Sequence, residues 1–277
     1  MQTNTAPILD LIRSQHNKWH NRENLNKALS LIDLTSLNTT DTKETIINMV
    51  EKVNNFSVKF PHLNSVAAIC VYPNFAKYVK ENLKIQNIKI AVVGGVFPNS
   101  QSFLEVKELE CKIASENGAD EVDIVLPLHY FLANDYDSCK KEISQIKDAI
   151  GKAHLKVILE TGALKNSEQI YKASMISMEA GADFIKTSTG KMEPAATPEA
   201  AVIMCMAIKD YYHQTGKKIG FKPAGGIVTT TDAIEYLAIV DSVLGEEWLN
   251  NNLFRLGASR LTNNILTELE QQEIKYF

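Results

Sequence analysis

Two lysines close apolar runs in this chain. Asp183-Phe184-Ile185-Lys186 is followed by the small, polar Thr187-Ser188-Thr189-Gly190-Lys191, and Ile219-Gly220-Phe221-Lys222 by Pro223-Ala224-Gly225-Gly226. Each reads as a buried strand that ends in a charge and opens onto a glycine-bearing loop. Burial disfavours the ammonium form and lowers a lysine pKa, leaving a neutral amine able to attack a carbonyl and form a Schiff base. Two ammonium groups on adjacent strands lower one another further by like-charge repulsion. Either lysine alone is as well explained by a carboxylate partner at the rim, because ion-pair networks also perturb lysines. Together, each ahead of a glycine loop, they point to carbonyl chemistry on a phosphorylated substrate.

Carboxylates accompany them. In Glu121-Val122-Asp123-Ile124-Val125 the period of two puts both acids on one face of a strand. An inward Asp123 could shuttle protons beside a Schiff-base lysine, or hold a lysine in a salt bridge. Asp33 in Ile32-Asp33-Leu34-Thr35 is a weaker candidate of the same kind, with helix capping by Asp33 or Thr35 as the other reading. Thr189-Gly190-Lys191, Ala224-Gly225-Gly226 and Leu256-Gly257-Ala258-Ser259 could each offer backbone N-H groups to a phosphate, although Gly-Gly after a strand is often only a turn. Cys70 closes another apolar run and could face the site or serve as a small core residue. His16 and His20 lie four apart on a helix, but no third ligand follows at metal-site spacing, so they read as surface residues.

Positioning such groups requires strands whose ends converge. Eight short apolar runs can be counted: 29–33, 66–71, 88–93, 121–126, 156–160, 184–186, 219–222 and 254–256. They recur about every 32 residues, close to the size of a βα unit, which predicts a single α/β domain, a (β/α)8 TIM barrel, over residues 1–277. In that fold active-site groups lie at the C-terminal strand ends, where both lysines fall, and phosphate is often held after strands seven and eight. An internal echo supports the repeat: Asn117-Gly118-Ala119-Asp120 and Ala180-Gly181-Ala182-Asp183 place glycines 63 residues, or two units, apart. Each glycine reads as a helix C′ residue turning into the next strand. Residues 1–28 form an N-terminal helical extension in which Ile8, Leu9, Leu11 and Ile12 suggest a short helix capping the bottom of the barrel. Leu261 to Leu269 is the last helix, and 270–277 a polar tail.

Composition bounds the partners. Apolar residues make up 45% and charged residues 22% of 277, ordinary for a globular chain with a sizeable core. The net charge of -4 offers nothing to nucleic acid or a membrane surface, so any anion site must be local. Cys70, Cys111, Cys139 and Cys205 form no C-x-x-C pair, which fits a reducing compartment better than a zinc site or disulfide framework. Met1 to Asp10 lacks the layout of a signal peptide, and a cytoplasmic location is expected.

The motifs are specific enough for a resemblance. Phe184-Ile185-Lys186-Thr187-Ser188-Thr189-Gly190-Lys191 together with Gly220-Phe221-Lys222-Pro223-Ala224-Gly225-Gly226 closely resembles deoxyribose-phosphate aldolase. Ile32-Asp33-Leu34-Thr35, Ile69-Cys70-Val71-Tyr72-Pro73, Glu121 to Val125, Leu155 to Gly162 and Phe254 to Ser259 extend the likeness over roughly residues 30 to 262. Leu244 to Leu249 looks like the longer animal form. The resemblance implies a metal-independent class I aldolase without a bound cofactor. Such an enzyme reversibly cleaves 2-deoxy-D-ribose 5-phosphate to acetaldehyde and D-glyceraldehyde 3-phosphate, a step of deoxyribose phosphate catabolism. It further implies that Lys186 forms the Schiff base, Lys222 lowers its pKa and Asp123 works with a water in proton transfer. Lys191, Gly225, Gly226 and Ser259 would hold the phosphate, with Asp33, Thr35, Cys70, Gly190, Gly257 and Arg260 completing the substrate-binding candidates. The expected partners are the sugar phosphate and aldehydes, with a homodimer left open.

Three positions depart from the family pattern. Val228 stands where an arginine is usual, Arg260 where serine or threonine is usual, and Ala195-Ala196-Thr197 lacks the usual asparagine. The first two suggest that the phosphate's cationic partner has moved from the seventh loop to the eighth. Tyr276 is placed to reach the site as a tail tyrosine can in the family, with a disordered tail as the other expectation. Other readings stay open at this stage: a Schiff-base lyase or transaldolase for a different sugar phosphate, a metal-free isomerase using a carboxylate base, and a non-catalytic sugar-phosphate binder.

Overall fold

The computed structural model describes residues 5–277. Its eight strands are β1 (Ile32–Thr35), β2 (Ala68–Val71), β3 (Lys89–Gly94), β4 (Glu121–Val125), β5 (His154–Ile158), β6 (Phe184–Lys186), β7 (Gly220–Lys222) and β8 (Leu256–Ala258). Neighbours from β1 to β7 pair in chain order, all parallel, and β1 also pairs with β8. Bridges Phe221–Phe254 and Ala224–Gly257 bring β8 against β7. Helical segments follow every strand, so the ring is the (β/α)8 barrel that the spacing predicts. Among the described residues no helix is long and apolar enough to cross a membrane.

All eight runs become strands; 184–186 coincides with β6, and the other seven have shifted ends. Leu29 belongs to the helix Arg22–Leu29, and β1 starts at Ile32. A continuous apolar run cannot by itself separate a buried helix end from a strand start. Strand β5 begins at His154 and stops before Glu160, and β8 lies two residues beyond the expected 254–256. The internal echo is structural. Gly118 and Gly181 both have φ of 100°, and Ala119 N–H donates to Ala114 as Ala182 N–H does to Ser177. The aspartates that follow act alike: Asp120 accepts from Ile90 N–H on β3, and Asp183 from Leu155 N–H on β5.

The barrel interior is divided by size. Ala68, Cys70, Ala91 and Val93 of β2 and β3 form a small apolar cluster with Leu37. This short-chain side leaves room for long side chains from the rest of the ring. Phe184 of β6 fits only because its neighbour in register is Gly220, where a Cβ would lie 2.3 Å from the ring. Over that ring, each at 5.8 Å, sit the Lys156 ammonium and the Arg255 guanidinium.

The ends of the chain differ from expectation. The helix Ala6–Ser14 buries Leu9 and Ile12 against the helices Pro198–Thr215 and Thr230–Leu244. It therefore joins the outer helical layer, not the bottom of the barrel; amphipathic spacing gives a buried face without naming the surface that covers it. The tail after Arg260–Glu270 is packed, because three of its residues are apolar or aromatic. Ile274, Tyr276 and Phe277 lie on the core, with Tyr276 and Phe277 against Phe56, and the Asn263 side chain clasps the backbone of 276 and 277.

Candidate active site

Lys186 and Lys222 are direct register partners at the C-terminal ends of β6 and β7. Between them lies Asp123, whose Oδ2 accepts from Lys186 Nζ at 2.9 Å and Lys222 Nζ at 2.8 Å. Its Oδ1 accepts from Lys156 Nζ at 3.0 Å. A second row lies deeper in the barrel. Asp33 contacts Lys222 Nζ at 2.5 Å through Oδ2 and accepts from Arg255 Nη1 at 2.6 Å through Oδ1. Glu121 accepts from Arg255 Nη2 at 2.8 Å and pairs with Lys156. Both acids of the alternating stretch on β4 thus point inward, as period two requires.

The electrostatics separate the lysines. For Lys186, burial is the largest influence and lowers the pKa; Asp123 opposes it and Lys222 adds repulsion, leaving the amine below the ordinary lysine value. Burial acts against the Lys222 ammonium too, but Asp123 and Asp33 outweigh it and hold that pKa well above the ordinary value. Burial alone would raise the Asp123 carboxyl; Lys156, Lys186 and Lys222 instead hold it well below the usual carboxylate range. Lys222 is thus a fixed cation and Lys186 the weakly held one.

Lys186 also faces outward. It lines a cavity of about 600 Å³ together with Thr35, Gly190, Lys191, Gly225, Gly226, Gly257, Ser259 and Arg260. Its side chain is 5% exposed, whereas Asp123 is 0% exposed and lies behind it. Asp33 and Cys70 do not line the cavity. Asp33 anchors Lys222 and Arg255, and burial raises the Cys70 thiol pKa in its small apolar cluster. Thr35 lines the cavity with its hydroxyl on Asp33 O, and the following helix is capped by Thr42, so neither Asp33 nor Thr35 is a cap.

The loops are held by neighbours that the sequence did not single out. Glu160 takes a left-handed conformation with φ of 52° and accepts from Thr189 N–H at 3.1 Å and Thr189 Oγ1 at 2.5 Å. Thr187 and Ser188 hydroxyls both donate to Ala224 O, joining the loops after β6 and β7. Gly225 is required there, with φ of 87° and an added Cβ only 2.9 Å from Gly190 Cα. Lys191 donates to Leu37 O across the mouth at 2.8 Å. Val228 lines the cavity and brings no charge, while Arg260 opens the helix after β8 and Lys52 comes from the helix Lys43–Lys59. Among the described residues the side chains lining the cavity include the bases Lys52, Lys186, Lys191 and Arg260 and no Asp or Glu. Phe277, not Tyr276, reaches it; the Tyr276 hydroxyl donates to Lys52 O at 2.7 Å. At the surface His20 links His16 to Glu268.

Known proteins are similar to this chain in sequence and in fold. A Caenorhabditis elegans relative is 43% identical over 266 residues, 95% of this chain and 88% of its own. The Homo sapiens deoxyribose-phosphate aldolase is 42% identical over 250 residues, 86% of this chain and 78% of its own. Among solved structures, an aldolase designated QR15 superposes with a TM-score of 0.72 at 29% identity, covering 88% of this chain and 96% of that one. The Aeropyrum pernix deoxyribose phosphate aldolase, described as a tetramer, shares the fold with a TM-score of 0.71 at 24% identity, over 96% and 98% of the two chains. Two lysines and an aspartate meet beneath a cavity lined by basic side chains, residues 27–244 match the DeoC/LacD family aldolases, and the chain belongs to that family.

Proposed function

We propose that this aldolase cleaves 2-deoxy-D-ribose 5-phosphate reversibly to acetaldehyde and D-glyceraldehyde 3-phosphate through a Schiff base on Lys186. The observation that carries this reading is the placement of Lys186, the weakly held amine, on the floor of a cavity whose other charged side chains, among the described residues, are all basic. The phosphate would lie on the Gly225-Gly226 and Ser259-Arg260 backbone, with Lys52, Lys191 and Arg260 around it. Ser259 makes no side-chain capping bond to the helix Arg260–Glu270, which leaves its first N–H groups to an anion.

In the cleavage direction the neutral Lys186 amine adds to the C1 aldehyde, and loss of water with uptake of one proton gives an iminium. Loss of the proton from the C3 hydroxyl then drives the electrons of the C2–C3 bond into the iminium, releasing glyceraldehyde 3-phosphate and leaving a neutral enamine. Protonation at C2 and hydrolysis free acetaldehyde. Asp123 and Lys222 are the proton path, since Asp123 Oδ2 is bonded to both lysine nitrogens. Sugar phosphate and aldehydes are the partners of this site, and the four unpaired, buried cysteines fit work in a reducing, cytoplasmic setting.

Acetaldehyde and borohydride test the chemistry directly: a stable two-carbon adduct mapped to Lys186 by mass spectrometry is expected, and labelling of no lysine would remove the imine mechanism. The shifted phosphate cation is tested separately. Arg260→Ala should raise KM for the phosphorylated substrate roughly tenfold, the worth of one charged hydrogen bond, with little change in kcat. An unchanged KM would exclude Arg260 from phosphate binding.

A further inference from the structure

The buried cluster has a countable charge. Lys156, Lys186, Lys222 and Arg255 meet Asp33, Glu121 and Asp123, four bases against three acids. All seven are buried. The bases are not equally served. Lys156 reaches Glu121, Asp123 and, at 3.9 Å, Asp33; Lys222 reaches Asp33 and Asp123; Arg255 forks between Asp33 and Glu121. Among the described residues Lys186 has only Asp123, on an oxygen that it shares with Lys222. In a site this dry an unbalanced charge is costly, so the least-served base is the one that gives up its proton.

We propose that Arg255 and Lys156 are positioning residues for the reaction: by occupying the charge of Glu121 and sharing that of Asp33, they balance the cluster only when Lys186 is an uncharged amine. This rests on Lys186 as the nucleophile and names what keeps it neutral, which the register neighbour Lys222 does not do alone. Asp123 of β4, Lys222 of β7 and the Cys70 thiol of β2 face Lys186 directly. Behind them stand Lys156 of β5, Glu121 of β4, Asp33 of β1 and Arg255 ahead of β8. Strand β3 contributes Ala91 and Val93, and its one charged residue, Lys89, is exposed at the start of the strand. Burial keeps the Cys70 thiol protonated near neutrality, so it does not enter the count. Directions elsewhere agree: Lys156 and Arg255, despite burial, are held above their ordinary values by these carboxylates.

The test reads the charge of Lys186 without requiring turnover. Trace acetylation by acetic anhydride across a pH series, mapped by mass spectrometry, gives the titration midpoint of that amine in the folded protein. Arg255→Met and Lys156→Met each remove one cation, and the midpoint should rise by about one pH unit or more, with activity recovered on the alkaline side. Glu121→Gln removes one anion and should move it down. The double variant Arg255→Met/Glu121→Gln restores the count and should titrate near the unsubstituted protein, which also serves if a single variant does not fold. A residue with a merely structural role would lower activity without moving the midpoint in opposite directions. Midpoints that stay in place, or move the same way in the cation and anion variants, overturn the proposal. Failure of the Schiff-base reading would show separately, as absence of the aldehyde adduct on an amine that still titrates as described.

Discussion

Asp123→Asn is expected to lower kcat by about 10²- to 10⁴-fold and the unfolding free energy by about 3–5 kcal/mol in the same variant. Asparagine keeps the shape of the side chain and removes its charge. The loss in kcat follows from the proton path, since Oδ2 is bonded to both Lys186 and Lys222 and an amide cannot carry a proton between them. The loss in stability follows from burial: Lys156 and Lys222 would keep their charges with one counter-charge fewer, in a place that water does not reach. For a chain of this size the melting temperature should fall by roughly 10 °C. The pH dependence has a definite sign. Asp123 and Asp33 titrate below their ordinary values in the folded protein, so their contribution is complete above the unfolded carboxyl pKa of about 3.9 and is lost as pH falls through the folded values. Urea unfolding should therefore show the gap between the unsubstituted protein and Asp123→Asn narrowing below about pH 4. A variant with intact stability and depressed kcat would show that the lysines do not depend on Asp123 for charge.

The centre of this site was legible because its chemistry breaks the pattern of its strands. A lysine at the end of Phe184-Ile185, another after Gly220-Phe221, and alternating acids in Glu121-Val122-Asp123 are anomalies that only a polar interior explains, and the structure brings them together. The same signal marked Lys156 in Leu155-Lys156-Val157 and Arg255 in Phe254-Arg255-Leu256. These two residues become meaningful only once the barrel sets β5 and β8 around the same acids. Asp33 was legible in part: the ion pair with a lysine is present, on Lys222, but Asp33 does not line the cavity, because the depth of a side chain in the barrel is a tertiary property that strand position does not encode. Lys52 gave no signal at all, being one lysine on an exposed helix face until the fold turns that face over the cavity. Glu160 extends an apolar run, and nothing local announces its left-handed turn or the Thr189 bonds that hold it. The elements were read from periodicity, and their ends were not, since periodicity is weakest where a helix hands over to a strand.

Lys186→Met should separate chemistry from architecture most sharply. Turnover is expected to fall on the order of 10⁵-fold or more, the scale of losing a covalent nucleophile, and the acetaldehyde adduct at this position should vanish. Stability should change by no more than about 1 kcal/mol, because methionine is similar in volume and a neutral amine takes no charge out of the cluster when it is removed. Lys222→Met makes the contrast. There Asp33 and Asp123 each lose a buried partner at 2.5 and 2.8 Å, and about 3–5 kcal/mol of stability should go with it. The two carboxylates would then draw a proton onto Lys186, so residual activity and adduct formation in Lys222→Met should appear only as pH rises. Two lysines in register on adjacent strands would thus respond in opposite ways, one variant stable and inert, the other unstable and rescued by alkali. Equal destabilisation of both by urea unfolding would mean that Lys186 is held as an ammonium for structure, and the amine available for carbonyl attack would have to be sought elsewhere.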